Sequence, residues 1–230
     1  MVGLDIYKFQ FMVELLIAEG LFVVKLRRRR YFWARLIASL IVMFAAVALF
    51  PLRYNAFFSS LMFLTFFVLS IAAIGFCFHD TFWNIIFCSL AAYTVQHIAY
   101  LLYNILVNLL TENVGNSIYY GADNVPMDGF TMAVCWIIYF ACYIMVYAET
   151  YFLLTAMIPK NPDLQLGKSS LIVVCLLVVV ADIVFNMVTV YNADADQTSF
   201  FLEQIYNLII CLLILWIQFQ KLRQKAIMSD

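Results

Sequence analysis

A chain of 230 residues in which 66% are hydrophobic and 12% charged is not composed like a soluble domain, which runs near half apolar and a quarter charged. At roughly 20–25 residues per crossing plus loops, the length bounds the number of membrane-spanning helices at about six to eight. The net charge of −1 identifies no partner, because placement of charge in such a chain matters more than its sum; nucleic acid is excluded as a partner because the basic residues hug the predicted membrane boundaries.

In chain order, the first apolar run covers 6–24 and stops at Lys25 and the basic cluster Arg27, Arg28, Arg29 and Arg30. The second covers 36–52 and ends around Pro51 and Arg53, and the third covers 56–78. His79 and Asp80 make a very short turn into a long fourth helix, 81–110, so the third and fourth helices should be antiparallel neighbours. A polar loop, 111–129, carries Gly115, Gly121, Pro126 and Gly129 as breakers. The fifth helix covers 130–158 and is stopped by Pro159-Lys160-Asn161-Pro162; the sixth covers 169–191 and the seventh 200–219. The predicted fold is therefore an all-α, polytopic membrane helical bundle over 1–220, with 221–230 as a tail in which a signalling helix begins.

Basic residues flanking spans are retained in the cytoplasm. Arg27 to Arg30 with Arg35, Lys160 with Lys168, and Lys221, Arg223 and Lys225 fall on one side if the helices number seven, with the N-terminus outside and the C-terminus cytoplasmic. The loops then placed outside hold Glu112, Asp123, Asp128, Asp194 and Asp196 and no Lys or Arg. The first segment departs from this regularity, because Lys8, Glu14 and Glu19 interrupt it and each charge in a span is costly. As an amphipathic helix in the interface it would leave six spans. Glu14 and Glu19 are expected to pair with each other's neighbours or with Lys25 by snorkelling, a structural role. MVGLDIYKF lacks the basic region and cleavage site of a signal peptide, so the N-terminus is expected to be retained. No internal repeat of the kind common in transporters is visible.

Polar groups at membrane depth are the candidate functional residues. On the fourth helix Tyr93, His97, Tyr100, Asn104 and Asn108 follow the i, i+3, i+4 rhythm of one face, with Gln96 and Tyr103 beside it. Such a stripe either binds helices together through hydrogen bonds or lines a ligand or signal pocket. Glu149 on the fifth helix, Asp182 with Asn186 on the sixth, and Glu203 with Asn207 on the seventh complete the set. Asp182 lies nearest the bilayer middle, and His97 is a candidate partner whose titration near neutrality would make the pair a switch. The Arg27 to Arg30 cluster reads either as a topology determinant or as a clamp on anionic lipid headgroups, each basic residue contributing about 1 kcal/mol. Tyr119 and Tyr120 are candidate contacts for an extracellular ligand.

The six cysteines, Cys77, Cys88, Cys135, Cys142, Cys175 and Cys211, sit inside apolar runs and read as small packing residues. Cys135 and Cys142 are about 10 Å apart along one helix, too far to bridge. No metal-ligand spacing, no cofactor motif and no H-E-x-x-H, G-x-S-x-G or P-loop pattern is present, so no catalytic, metal or cofactor residues are assigned.

The stretch Phe87-Cys88-Ser89-Leu90-Ala91-Ala92-Tyr93-Thr94-Val95-Gln96-His97-Ile98-Ala99-Tyr100 resembles the membrane sensor region of GHKL-type sensor histidine kinases from Firmicutes, the bacterial class that includes quorum-sensing peptide receptors. The basic exit Gln220-Lys221-Leu222-Arg223-Gln224-Lys225 fits the point where the signalling helix of that class begins. The resemblance implies a plasma-membrane sensor of a two-component system, a homodimer, an extracellular ligand with peptides as one candidate class, and a cytoplasmic kinase region as output. The chain ends at Asp230 without the family's phosphoacceptor His or its Asn- and Gly-rich ATP boxes, so this chain is expected to have no kinase activity of its own. It is expected to be either a sensor module cut from a longer protein or a stand-alone relative. The alternative reading, from another class, is a small-solute transporter or its substrate-binding subunit, using the same polar stripe as a translocation site.

Overall fold

The computed structural model describes residues 2–24, 26–51, 56–111 and 129–157, together with 205, 207–209, 211–213, 215–217 and 220. The described residues are all-α: α1 (Val2–Val23), α2 (Phe32–Leu49), α3 (Ala56–Cys77), α4 (Phe82–Thr111) and α5 (Gly129–Met157), followed by a shorter apolar segment, Asn207–Ile217. Three of these helices, over Phe32–Leu49, Phe82–Val107 and Gly129–Leu154, are long and apolar enough to cross a membrane.

The helix ends follow from local chemistry. α2 stops at Phe50, whose extended backbone (φ −66°, ψ 122°) is the conformation that the following Pro51 imposes on its predecessor. Tyr31 opens the same helix from the left-handed region, φ 60°. At the start of α4 the Thr81 hydroxyl accepts the Asn84 N–H at 3.4 Å, an N-cap. The Asp80 carboxylate accepts from the Thr81 N–H at 2.6 Å and from Asn84 Nδ2 at 2.8 Å, which places negative charge at the positive end of the helix.

The link from α1 to α2 and the turn from α3 to α4 meet through an antiparallel bridge between Arg28 and Phe78. Arg29 N donates to Cys77 O and His79 N to Arg27 O, at 3.0 and 2.7 Å. Arg29 Nε and Arg35 Nη1 cap the Phe78 and Phe76 carbonyls at 2.7 and 2.9 Å, so basic side chains satisfy the carbonyls that the end of α3 leaves open. Arg27 to Arg35 thus collect at one end of the bundle, while Lys8 Nζ reaches the Phe50 carbonyl at 3.4 Å at the other.

α1 and α4 form the centre. Among the described residues α1 packs against α2, α3, α4 and α5, and α4 packs against α1, α3 and α5, whereas α2 touches only α1 and α3. Across the spans of α4 and α2, 72% and 17% of the residues are buried, so α4 is enclosed where α2 is peripheral. One core cluster joins Ala18 and Phe22 of α1 to Ala91, Val95 and Ala99 of α4 and to Cys135, Cys142 and Val146 of α5. A second joins Met12 and Leu15 to Met43 and Val47 of α2, Phe66 of α3 and Leu90 of α4. Small residues on α4 permit close helix approach where dispersion and hydrogen bonding must do the packing.

The polarity of α1 is inverted relative to a water-soluble helix. Its exposed stripe is Phe9, Val13 and Ile17, while Lys8, Glu14 and Glu19 are buried. α2 and α5 likewise expose Ile37, Ile41, Ile137, Phe140 and Ile144. An apolar outside around buried charge is the arrangement that a lipid solvent selects, and a water-soluble monomer rarely shows apolar surface on this scale.

Candidate polar junction of three helices

Glu14 is enclosed where α1, α4 and α5 meet. α1 brings Gln10 and Glu14 together one turn apart, and Gln10 Nε2 donates to Glu14 Oε1 at 3.0 Å. α4 supplies Gln96, whose Nε2 donates to Oε2 at 2.7 Å. α5 presents Tyr139, Tyr143 and Tyr147, a tyrosine every four residues and so a ladder on one helix face. The Tyr139 hydroxyl donates to Oε1 at 2.5 Å, that of Tyr143 to Oε2 at 2.7 Å, and that of Tyr147 to the backbone carbonyl of Glu14 at 2.9 Å.

A carboxylate offers about four lone-pair positions, and here two donors fill each oxygen. None of the four is charged. Neutral amides and phenols therefore replace the hydration shell of an ionisable group that is 6% exposed. The ladder is stiffened by ring contacts: Tyr139 lies 4.5 Å from Tyr143 between centroids and is met edge-on by Tyr103 of α4 at 5.6 Å and by Trp136 at 5.5 Å. The junction sets one carboxylate among neutral amides and phenols, the arrangement that a buried ionisable group needs. Among the described residues there is no group of three or more His, Cys, Asp or Glu side chains able to hold a metal ion.

The residues singled out from the sequence divide into three sets. Gln96 is in the junction. Tyr93, His97 and Tyr100 run along the adjacent face of α4, with ring centroids 6.2 Å apart for Tyr93 and His97 and 6.1 Å for His97 and Tyr100; Tyr93 is buried against Phe11 and Phe67, and His97 and Tyr100 are half-buried. Asn104 is buried further along α4. Glu149 is exposed on α5, away from the tyrosine ladder. Asp182, Asn186, Glu203 and the side chain of Asn108 lie outside the described residues, and the expected pairing of His97 with Asp182 lies there with them. Arg27 to Arg30 are exposed, with the Arg28 guanidinium over Phe32 at 4.8 Å and that of Arg30 over Tyr31 at 5.0 Å. Cys77, Cys88, Cys135, Cys142 and Cys211 are free thiols.

Glu14 corrects an expectation. It does not snorkel towards a surface cation but points into the bundle, because its neighbours at the same depth on α5 are hydroxyl-bearing rather than apolar. Sequence reading gave Glu14 a structural role and did not single out its tyrosine partners. The signal was present in the four-residue spacing of Tyr139, Tyr143 and Tyr147, which marks one helix face. No known family model, curated protein or solved structure matches the chain.

Proposed function

We propose that the chain is a signal-sensing membrane module, multi-pass in the plasma membrane with its N-terminus outside and its C-terminus cytoplasmic, and that the Glu14 junction is its switch. The observation that carries this reading is the closure of one buried carboxylate by donors from three separate helices. A carboxylate in a low-dielectric interior tolerates few intermediate positions, since each lost donor leaves charge and dipole unsolvated. A shift of α1 or α5 relative to α4 then moves the bundle between discrete packings rather than along a continuum. A ligand that binds one packing better than the other shifts the population by its difference in affinity.

The resemblance to the sensor regions of GHKL kinases supports the same reading, because the stretch that carries it, Phe87 to Tyr100, is the one that contributes Gln96 to the junction. In this proposal α4 couples an extracellular ligand, of which a peptide is one class, to a homodimeric bundle whose last helix drives a cytoplasmic kinase region. The output chemistry belongs to that region.

The test is a fusion, through Lys225, to the cytoplasmic region of a sensor kinase, reconstituted in lipid vesicles and followed by autophosphorylation while the peptide fraction of spent culture medium is added outside. The expected result is a response that Glu14→Gln holds at one level, because the amide turns one acceptor oxygen into a donor facing donors. Autophosphorylation that responds equally in a folded Glu14→Gln variant, or solute uptake by the unfused chain without any response, overturns the proposal.

A further inference from the structure

Four helix ends meet at the basic end of the bundle: α1 runs into it, α2 leaves it, and the turn from α3 to α4 is bridged to it. Five guanidiniums fall within residues 27–35 there, and Arg27, Arg28, Arg29 and Arg30 are exposed. Arg28 and Phe78 stand opposite each other in the antiparallel bridge, so their side chains share one side of it. Phe32 contacts both, edge-on to Phe78 at 5.2 Å and beneath the Arg28 guanidinium at 4.8 Å. Arg30 lies over Tyr31 at 5.0 Å and Arg35 over Phe76 at 4.7 Å.

These contacts, with the carbonyl bonds of Arg29 and Arg35, position the arginines without neutralising them, because rings and carbonyls carry no net charge. Asp80, the acidic residue of the adjoining turn, spends its Oδ1 on the start of α4, accepting from the Thr81 N–H and from Asn84 Nδ2. Like charges gathered at one end repel, and an anion relieves them. A ring beneath a guanidinium occupies its face and leaves the N–H edge, the planar fork that matches two oxygens of a phosphate.

The adjoining surface decides which phosphate. Trp33, Ile37 and Ile41 follow one another at four-residue spacing along α2, and all three are exposed. An apolar stripe thus starts beside the arginines and runs down the helix. Acyl chains cover such a stripe while their headgroup meets the guanidiniums, whereas a soluble phosphate would leave it bare. Tyr31 and Trp33, both exposed, sit at the cluster itself and are the ring types that settle at headgroup level.

We propose that this end of the bundle is a docking surface for anionic phospholipid, with Arg28 and Arg30 meeting the phosphate and the α2 stripe of Trp33, Ile37 and Ile41 meeting the acyl chains. It is separate from the Glu14 junction and does not depend on it.

The test uses the purified full chain in lipid vesicles. Quenching of tryptophan fluorescence by dibrominated phosphatidylglycerol, measured against dibrominated phosphatidylcholine, gives the relative affinity of the anionic lipid, and Trp33 is a reporter inside the stripe. The expected result is a roughly fivefold preference for phosphatidylglycerol that falls to near unity in Arg28→Gln/Arg30→Gln, whose exposed positions leave the fold intact by circular dichroism. Arg29 and Arg35 are left in place because they cap the end of α3. Lys221→Gln/Lys225→Gln, which removes as much positive charge from the tail, is expected to keep the preference. Equal affinity for the two lipids in the parent overturns the proposal, as does a preference that survives in folded Arg28→Gln/Arg30→Gln or that the tail substitutions lower as much. Loss of the preference on adding inorganic phosphate at constant ionic strength would mark a site for the soluble anion and overturn it too.

Discussion

Glu14 and Glu19 lie on the same helix within two turns of each other, and both are withdrawn from solvent, yet they are handled by different means. Around Glu14 the partners are donors: two amides and two phenols converge on the carboxylate, and a third phenol holds the backbone carbonyl above it. Around Glu19 the neighbours are two serine hydroxyls, Ser70 and Ser89, and its Oε1 has no hydrogen-bond partner among the described residues. The first site is complete with protein atoms alone and fixes α1 against α4 and α5. Burial by itself therefore does not say what a membrane carboxylate does; the donor count around it does.

Removing the first carboxylate is the harshest test of this contrast. Glu14→Leu leaves four donors, three of them buried, without an acceptor, at a cost on the order of 1–3 kcal/mol for each buried one that cannot re-pair, and we expect the purified protein to lose its cooperative unfolding transition in nanodiscs. A variant as stable as the parent would mean that the tyrosine ladder is held by ring packing alone. Within the ladder, Tyr143→Phe removes a bond to the carboxylate and Tyr147→Phe a bond to a backbone carbonyl. The first should cost about 1–2 kcal/mol and the second about half of that, in line with interhelical hydrogen bonds in bilayers; urea titration of both variants decides the order. Gln10 is only half-buried and acts within its own helix, so Gln10→Ala should cost about 0.5 kcal/mol or less, and a larger loss in the same titration would show that Gln10 also orients α5.

The legible part of the molecule was the part written in runs. Apolar stretches bounded by charge and proline predicted an all-α chain, and Phe50-Pro51 and Asp80-Thr81 mark a helix end and a helix start where the sequence places a breaker and a cap. Gln96 was picked out because it lies beside a polar stripe on a helix otherwise apolar. Glu14 was read as a snorkelling charge because its partners on α4 and α5 are 82 to 129 residues away along the chain and only packing brings them together. Tyrosine is ambiguous in the same way: the letters of an interfacial belt and of a hydrogen-bonding ladder are identical, and only which helix lies opposite distinguishes them.

The smallest expected effect is the most discriminating. Glu19 Oε1 has no hydrogen-bond partner among the described residues, so Glu19→Gln removes a group with fewer stabilising bonds than Glu14 has. It keeps the shape and gains an amide N–H that Ser70 can accept. Replacing an uncompensated ionisable group by a neutral one of equal volume is neutral or favourable, and the midpoint should stay within about 1 kcal/mol of the parent, on the stabilising side. Glu14→Gln, the same chemical change five positions earlier, should be destabilising in the same buffer, because its amide N–H faces donors. Opposite signs for one substitution at two buried positions of one helix would establish that the two carboxylates do different work. If both variants instead lose stability together, the contrast between the two carboxylates fails.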